Sequence, residues 1–266
     1  MHNQASLDSI CAALCYGLGI NPPEQAAPAN PELCAYIDKI FGSEGADRVF
    51  MYNPDAIAQW IGQKYAYFLA EANDIADVQL PLCSVMPSVT PVCFGTMYTG
   101  AQPEVHGIKA YVKPVITIDT IFDALIRSGK RPAIVSTKND SMSCIYLERK
   151  MDYYILDSVE KVNAKAAELI LADKYDFIAV YNGNYDSVMH KFGPENPEAL
   201  AELRANARAF GMFYELIQTH WTVHNTLLGF AMDHGCHEID GNCGSHGLDM
   251  DEDMNIAHLY KGIHKK

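Results

Sequence analysis

The sequence has few basic residues. It carries 20 Lys and Arg against 33 Asp and Glu, which gives a formal net charge of −13. Proteins that bind a nucleic-acid polymer neutralise backbone phosphates with basic side chains, so this deficit argues against such a partner. A small anionic substrate stays compatible with the charge if metal ions supply positive charge at the site.

Long apolar runs are also missing. No stretch approaches the roughly 18 to 20 uninterrupted apolar residues that span a bilayer. The opening MHNQASLDSI lacks the basic and apolar regions of a signal peptide. We therefore expect no membrane association and a cytoplasmic location. The 49% hydrophobic and 20% charged content over 266 residues is that of a globular protein with a sizeable core.

Paired cysteines and flexible linkers are absent as well. The eight cysteines include no CxxC pair, and several fall in apolar runs, a pattern that favours reduced thiols over disulfides or a zinc ribbon. No Gly/Ser linker or internal repeat divides the chain. We expect one domain over residues 1–266, with a helical extension at 1–45 and the main body at 46–266.

Short β-rich runs alternate with amphipathic stretches in the main body. Strands are predicted at 48–53, 131–136, 153–156, 176–181 and 227–232, and helices at 119–128 and from 197 to about 222. In the extension, helices between residues 7 and 42 are interrupted by a Pro-rich loop. Such alternation predicts an α/β fold with a mostly parallel central sheet, helices on both faces and a short N-terminal helical extension.

Acidic and histidine side chains follow several of these strands, where ligands bind in parallel sheets. They are Asp55, Asp186, His190, Asp233, His234 and His246. Each has a simpler interpretation: an N-cap opening the helix AIAQWIG, a surface pair on a helix, a turn, or a loop residue. Three aspartates and three histidines taken together form a ligand set that suits Zn²⁺ or Mn²⁺. By contrast, we expect the acidic run at 249–253 to be solvated.

A candidate nucleophile lies in the segment PSVTPVCFGTMYTGAQPEVHGI. Thr90 and Pro91 are typical of the N-cap and first position of a helix. The positive end of the helix dipole would favour a phosphoryl group beside the Thr90 hydroxyl. A Thr before Pro can equally be a cap and nothing more.

Four motifs follow one another in a fixed order. Thr90 is followed by TG at 99–100 and PEVHGI at 103–108, and Asp186 by His190 and KFGP at 191–194. The others are DHG at 233–235 and GSHG at 244–247. On these motifs the chain, from about residue 48 to 255, resembles the alkaline phosphatase superfamily and, more narrowly, the type I phosphodiesterase/nucleotide pyrophosphatase family.

The resemblance implies a metal-dependent phosphoric ester hydrolase with a small phosphorylated substrate. One metal ion would be held by Asp186, His190 and His246. A second would be held by Asp55, Asp233 and His234, with the Thr90 oxygen as its remaining ligand. The ions would be Zn²⁺, with Mn²⁺ as the alternative, and Thr90 would form a phosphothreonine intermediate.

Two positions depart from the family pattern. Ala56 follows Asp55 where the family usually has Gly, and Cys93 stands where its diesterases carry an Asn that donates to a substrate phosphate oxygen. A thiol is a poor donor, so Cys93 marks a substrate-binding position of altered chemistry. The alternatives are a phosphomonoesterase, a phosphonoacetate hydrolase-like enzyme that cleaves a C–P bond, or a catalytically weak metal-binding module. Homo-oligomerisation is left open.

Overall fold

A seven-stranded sheet lies at the centre of the computed structural model, which describes residues 1–266. Its strands are β1 (Arg48–Pro54), β2 (Val78–Cys83), β3 (Pro132–Thr137), β4 (Asp152–Leu156), β5 (Phe177–Asn182), β6 (Thr226–Phe230) and β9 (Asn255–Ile263). A separate hairpin consists of β7 (His237–Ile239) and β8 (Cys243–Ser245). The strand order in the large sheet is β2-β9-β6-β1-β5-β3-β4, and β9 runs in the opposite direction to the other six strands.

Twelve α-helices surround the sheet. They are α1 (Ser9–Gly17), α2 (Pro31–Phe41), α3 (Gln59–Lys64), α4 (Ala70–Ile75), α5 (Thr90–Thr99), α6 (Pro103–His106), α7 (Ile121–Arg127), α8 (Ser141–Ile145), α9 (Val159–Ala172), α10 (Asn184–Phe192), α11 (Pro197–His220) and α12 (Asp251–Met254). Helices α4, α9, α10 and α11 pack together in one group, and α1, α5, α7 and α8 in another. None of the helices combines the length and apolar character needed to cross a bilayer.

The α/β prediction with a mostly parallel sheet is confirmed. All five predicted strands are present, with ends displaced by no more than two residues. Strands β1, β5 and β6 are buried along their whole length, as expected of parallel strands covered on both faces. Strands β2 and β9 and the β7–β8 hairpin were not predicted. The 24-residue α11 ends at His220, close to its predicted end.

The N-terminal extension packs against the helix that begins at Thr90. Ser6 forms a parallel bridge with Cys83 at the end of β2, and α1 lies against α5. The Ala27 amide donates to the Gly100 carbonyl at 2.7 Å, just after α5 ends. The extension therefore supports α5 from outside the sheet, while the division at residue 45 stays a prediction.

Candidate metal centre

The six predicted ligands lie together at the carboxyl end of the parallel strands. Asp55 follows β1, Asp186 lies in the first turn of α10 after β5, and Asp233 and His234 follow β6. His190 is one helical turn beyond Asp186, and His246 follows β8. They form two groups of three side chains, each of which could hold a metal ion.

The first group, Asp186, His190 and His246, is partly open to solvent. The Asp186 Oδ1 atom lies 3.2 Å from Nε2 of both histidines, and the two Nε2 atoms are 3.1 Å apart. Nδ1 of His190 donates to the Gly244 carbonyl, and Nδ1 of His246 to the Ser88 carbonyl, each at 3.0 Å. Backbone acceptors thus leave each Nε2 lone pair directed at the same point.

The donor atoms of this group fit a small divalent cation. Four ligands in a tetrahedron at about 2.0–2.1 Å from Zn²⁺ are about 3.3 Å apart, close to the observed spacing. Asp186 Oδ1 is buried and accepts no hydrogen bond from a protein donor. Two neutral imidazole lone pairs 3.1 Å apart repel each other unless a cation lies between them. Burial raises the pKa of Asp186, but in the absence of a metal ion the hydrogen bonds and positive charge of protonated His190 and His246 outweigh burial and hold it below its usual range.

The second group, Asp55, Asp233 and His234, is almost completely buried. Nε2 of His234 lies 3.3 Å from Asp55 Oδ1, from Asp233 Oδ2 and from the Thr90 hydroxyl. Nδ1 of His234 donates to the Gly235 carbonyl at 2.9 Å, which again leaves Nε2 free to bind a metal. Asp233 Oδ2 is buried with no hydrogen-bond partner. Three protein donors and a hydroxyl therefore converge on one point.

The second group contains two buried carboxylates that lack a compensating positive charge. Burial, followed by repulsion from Asp186, raises the pKa of Asp55 to about 7. Burial and the charge on Asp55 raise the pKa of Asp233 well above its usual range. Burial, followed by repulsion from His246, lowers the pKa of His234 well below its usual range. Without a cation the two carboxylates cannot both be ionised at neutral pH, whereas a divalent ion would stabilise both charges.

Thr90 is the first helical residue of α5, and the prediction that it is an N-cap is wrong. Val89 occupies the N-cap position with extended backbone, and the Thr90 side chain caps no helical N–H. The hydroxyl instead donates to Asp55 Oδ2 at 3.2 Å. Asp55 is likewise no N-cap, because the next helix begins only at Gln59. Neither the Thr90 nor the Asp55 side chain caps a helix; the two contact each other instead.

Two supporting contacts hold the buried carboxylates. The Tyr181 hydroxyl donates to Asp55 Oδ2, and the Ala56 amide donates to Asp233 Oδ1 at 3.2 Å. Sequence reasoning missed Tyr181, because a Tyr near the end of a buried strand has the pattern of a core residue. Its one available signal is its place two residues before Gly183, at the strand end from which Asp186 follows.

Gly95 of α5 and Gly244 of the GSHG motif each lie where a side chain would collide with a neighbouring group. A Cβ on Gly95 would lie 2.9 Å from the His106 ring, whose Nε2 bonds the Thr96 hydroxyl at 3.0 Å. A Cβ on Gly244 would lie 2.8 Å from the Met189 carbonyl oxygen. The PEVHGI motif therefore braces α5 behind Thr90, and the GSHG motif brings the hairpin against α10, where the Gly244 carbonyl orients His190.

The Cys93 thiol points at neighbouring protein groups. It lies 3.2 Å from the Ser84 hydroxyl, which in turn donates to the Asp233 carbonyl oxygen at 2.7 Å. Burial raises the pKa of the Cys93 thiol well above its usual range, so the thiol is neutral. Cys93 is fully buried, and its part in substrate binding stays a prediction.

The expectation that the acidic run at 249–253 is solvated is wrong for Asp253. This carboxylate is completely buried. It accepts hydrogen bonds from Nδ1 of His237 at 2.7 Å and from the Leu248 amide at 2.9 Å. The loop from His237 to Leu248, which carries His246, folds over Asp253, because this one carboxylate accepts hydrogen bonds from both ends of the loop. Asp253 is thus a positioning residue for that loop.

Comparison with known proteins agrees with this architecture. The family model for type I phosphodiesterase/nucleotide pyrophosphatase matches residues 116–262, more than half of the chain. A venom phosphodiesterase from Macrovipera lebetinus is 26% identical over 184 residues, which cover 60% of this chain and 22% of the relative. The match to the family model takes in the segment that holds Asp186, His190, Asp233, His234 and His246.

Solved structures show the same fold. Murine ectonucleotide pyrophosphatase/phosphodiesterase 5 superposes with a TM-score of 0.58 at 18% identity, over 73% of this chain and 58% of that chain. The human protein of the same name gives a TM-score of 0.62 at 12% identity, over 80% of this chain and 87% of that chain.

The sheet and its surrounding helices have the alkaline phosphatase-like fold of these solved structures. Within that class, the chain belongs to the type I phosphodiesterase/nucleotide pyrophosphatase family. It spans about a fifth of the length of the venom relative and somewhat over half of the murine protein.

Proposed function

We propose that this chain hydrolyses phosphoric esters, with diesters and pyrophosphate linkages as the preferred substrates and Thr90 as the nucleophile. The observation that carries the proposal is the contact of a buried hydroxyl, at the first turn of a helix, with two side chains of the buried candidate metal group, Asp55 and His234. The Thr90 oxygen lies 3.2 Å from Asp55 Oδ2 and 3.3 Å from His234 Nε2. Family membership supports the same class of reaction.

Two divalent ions, Zn²⁺ or alternatively Mn²⁺, would complete the site. Asp186, His190 and His246 would hold one ion, and Asp55, Asp233 and His234 would hold the other, with Thr90 as its further ligand. When bound, such ions lower the pKa of a coordinated hydroxyl or water and stabilise the charge on the leaving oxygen. Three aspartates offset most of the charge of two such ions, so the site stays attractive to an anionic ester.

The protein's own groups account for the proton and the orientation of the nucleophile. In the first step the Thr90 oxygen attacks phosphorus, its O–P bond forms and the bond to the leaving oxygen breaks in line. The hydroxyl proton has an acceptor in the Asp55 carboxylate, whose Oδ2 lies 3.2 Å from the Thr90 oxygen; His234 Nε2 would be occupied by the metal ion. Water then attacks the phosphothreonine, releasing phosphate or its monoester and restoring the hydroxyl. The amino end of α5 favours the negative charge in both steps.

Substitution of Thr90 tests the assignment. Thr90→Ala should abolish turnover, with metal content unchanged by elemental analysis, because the other six ligands remain. Thr90→Ser retains the hydroxyl, so it should keep measurable turnover and serves as the matched control. Full phosphodiesterase activity in Thr90→Ala would refute the role of this residue.

A panel of esters tests the substrate class. It contains bis-p-nitrophenyl phosphate, p-nitrophenyl phosphate, a p-nitrophenyl ester of thymidine 5′-monophosphate and phosphonoacetate, each given to the zinc-loaded and manganese-loaded protein. We expect the diesters to react fastest. Faster release from the monoester or from phosphonoacetate would move the protein to those chemistries, and no turnover on any compound would leave a metal-binding module.

The eight cysteines support a proposal about location. All eight are free thiols in the structure. A protein with this many unpaired thiols suits a reducing compartment. We therefore propose that it works in the cytoplasm.

A further inference from the structure

A groove runs along the exposed face of α11 and contains none of the candidate metal ligands. It has a volume of about 720 Å³, within the range of about 300–1,000 Å³ that is usual for small-molecule sites. Its floor extends along α11 from Pro197 to Met212. Since a helix rises about 1.5 Å per residue, this floor is about 22 Å long.

We propose that this groove binds an amphipathic anion, a molecule with one carboxylate or phosphate group on an apolar chain. The inference goes beyond the proposed function and does not depend on it, because the groove and the metal centre share no residue. The length of the floor suits a single alkyl chain of medium length.

The floor of the groove is apolar because alanine recurs at every fourth position of α11. Ala201, Ala205 and Ala209 lie on one face of the helix, since four residues are about one turn. Their methyl groups leave open the space that longer side chains would fill, and Leu200 and Met212 border it. An alkyl chain lying there would remove its own apolar surface and that of the floor from water.

Two arginines of α11, Arg204 and Arg208, supply positive charge to the groove. Ion pairs with carboxylates engage Arg48, Arg127 and Arg149 but neither of these two. Acidic residues outnumber basic residues by 33 to 20 in this chain, so a shortage of acids does not explain why both arginines lack a partner. Their charge is therefore available to an anion from outside the chain.

Stacking holds one guanidinium in place at the groove. The Arg204 guanidinium lies 4.6 Å from the centre of the Phe68 ring and 5.2 Å from that of Tyr67. A stacked guanidinium presents its N–H groups at its edge, where a carboxylate or phosphate can accept two parallel hydrogen bonds. The acidic residue in the adjoining shallow part of the groove is Glu71, whose carboxylate lies against Gly211 and pairs with neither arginine.

A buried polar atom on the α9 side of the groove lacks a partner. Oδ1 of Asn163 is buried and accepts no hydrogen bond within the protein. An unpartnered buried acceptor is destabilising, and a hydrogen-bond donor of the ligand would satisfy it. An amide N–H next to the anionic group is such a donor.

A second copy of this chain fits the groove less well than a small anion does. An antiparallel two-fold pairing of α11 with itself brings the same flank of both helices together. The arginines of the two copies would then lie side by side, and their like charges would repel each other. The charge of the groove therefore favours an anionic ligand over a dimer contact.

Matched pairs of amphiphiles test the groove. N-octanoylglycine is compared with N-octanoylglycinamide, which has a neutral amide in place of the carboxylate, and decyl phosphate is compared with its dimethyl ester. Dissociation constants are measured by calorimetry, below micelle-forming concentrations, on metal-loaded protein in phosphate buffer, so that phosphate occupies the metal centre. We expect the anionic member of at least one pair to bind about tenfold more tightly, the order of effect of one hydrogen bond between charged groups. N-acetylglycine, which lacks the long chain, should bind at least about tenfold more weakly than N-octanoylglycine.

Substitutions on α11 connect binding to the groove. Arg204→Gln and Arg208→Gln remove the charge, and each should reduce the preference for the anion about fivefold. Ala205→Phe fills the floor and should weaken binding of N-octanoylglycine at least about tenfold, whereas Ala205→Ser leaves the floor open and should bind as the unsubstituted protein does. Arg131→Gln is the matched control for charge, because Arg131 is exposed, forms no ion pair and lies outside the groove, just before β3.

The outcomes are independent of those for the proposed hydrolysis. Equal binding of the charged and neutral members of both pairs would overturn the assignment, as would a preference that survives unchanged in both arginine variants. A dimer of the unsubstituted protein that Ala205→Phe dissociates would also overturn it, because a second copy would then cover the groove. Hydrolysis of bis-p-nitrophenyl phosphate should stay within about twofold in all these variants, since none of the substituted side chains belongs to the metal centre.

Discussion

Removing one hydroxyl group, that of Tyr181, should weaken the candidate metal centre. Tyr181 is buried at the end of β5, and its hydroxyl donates to Asp55 Oδ2, an atom that also accepts from Thr90. Burial, followed by the charge of Asp55, raises the pKa of Tyr181 well above its usual range, so the hydroxyl is a donor at every working pH. Tyr181→Phe removes this donor and leaves the shape of the ring unchanged.

The size of the effect follows from the kind of bond that is lost. A hydrogen bond to a charged group contributes about 1.5–3 kcal/mol, and about 1.4 kcal/mol corresponds to a tenfold change in an equilibrium constant. Loss of a partner that orients a metal ligand typically reduces metal affinity by about 10- to 100-fold, which is the same range. We therefore expect Tyr181→Phe to weaken metal binding by that factor.

Competition with a chromogenic chelator measures the effect. The matched control is Tyr154→Phe, which removes a hydroxyl that bonds Tyr175 at 2.6 Å on the edge strand β4. That variant should keep the metal affinity of the unsubstituted protein. Equal affinity in Tyr181→Phe and in the unsubstituted protein would refute the reasoning, as would an equal loss in both variants, since the loss would then reflect general destabilisation.

Three further predictions concern stability. In protein freed of metal by a chelator, Asp55 has a pKa of about 7, against an ordinary value of 3.8. A carboxyl group whose pKa is raised in the folded state stabilises the fold at low pH. The free energy of unfolding should therefore fall as the pH rises from about 4 to 7, by at most on the order of 4 kcal/mol. Urea denaturation at pH 5 and pH 8 measures this, and Asp55→Asn should reduce the dependence while the part that comes from the buried Asp233 remains. Gly95→Ala should lower the free energy of unfolding by about 1–3 kcal/mol, because the new methyl group meets the His106 ring. Thermal unfolding measures this loss. An unchanged unfolding temperature would show that the ring moves aside freely and would contradict the prediction. Cys93→Ala should lower the free energy of unfolding by about 1 kcal/mol, because the contact with Ser84 is lost. The variant should keep kcat/KM on the diester within twofold. A tenfold fall would show that the thiol contacts the substrate.

The sequence was sufficient for the central strands and for the expectation that the candidate ligand residues meet at one edge of the sheet. Strands β1, β5 and β6 are short apolar runs buried on both faces, so hydrophobicity alone predicts them. Metal ligands are restricted to a few residue types, and parallel strands bring their carboxyl ends to one edge of the sheet. Asp55 and Asp233 are 178 positions apart in the chain, but both follow predicted parallel strands. Their proximity could therefore be expected from the sequence alone.

Two other strands could not be predicted from local patterns. Strand β2 contains Pro81, a residue that argues against a strand. Strand β9 includes the buried His258, whose Nε2 lies 2.6 Å from the Met232 carbonyl oxygen. This partner, 26 positions earlier in the chain, compensates the burial of a polar side chain that a local pattern would place on the surface. Tertiary pairing between β2 and β9 outweighs the local signals in both.

Ala56 shows how the site itself overrides local preference. The sequence marks it as a departure from the family, which usually has Gly after the first aspartate, and the structure gives the reason for that preference. Ala56 has a φ of 61°, in the left-handed region, which is unfavourable for a residue with a Cβ by about 1–2 kcal/mol. In this conformation its amide donates to Asp233 Oδ1 while Asp55, the preceding residue, turns towards Thr90. The backbone strain is thus offset by contacts that hold both carboxylates in place, and these contacts involve residues that no local sequence window contains.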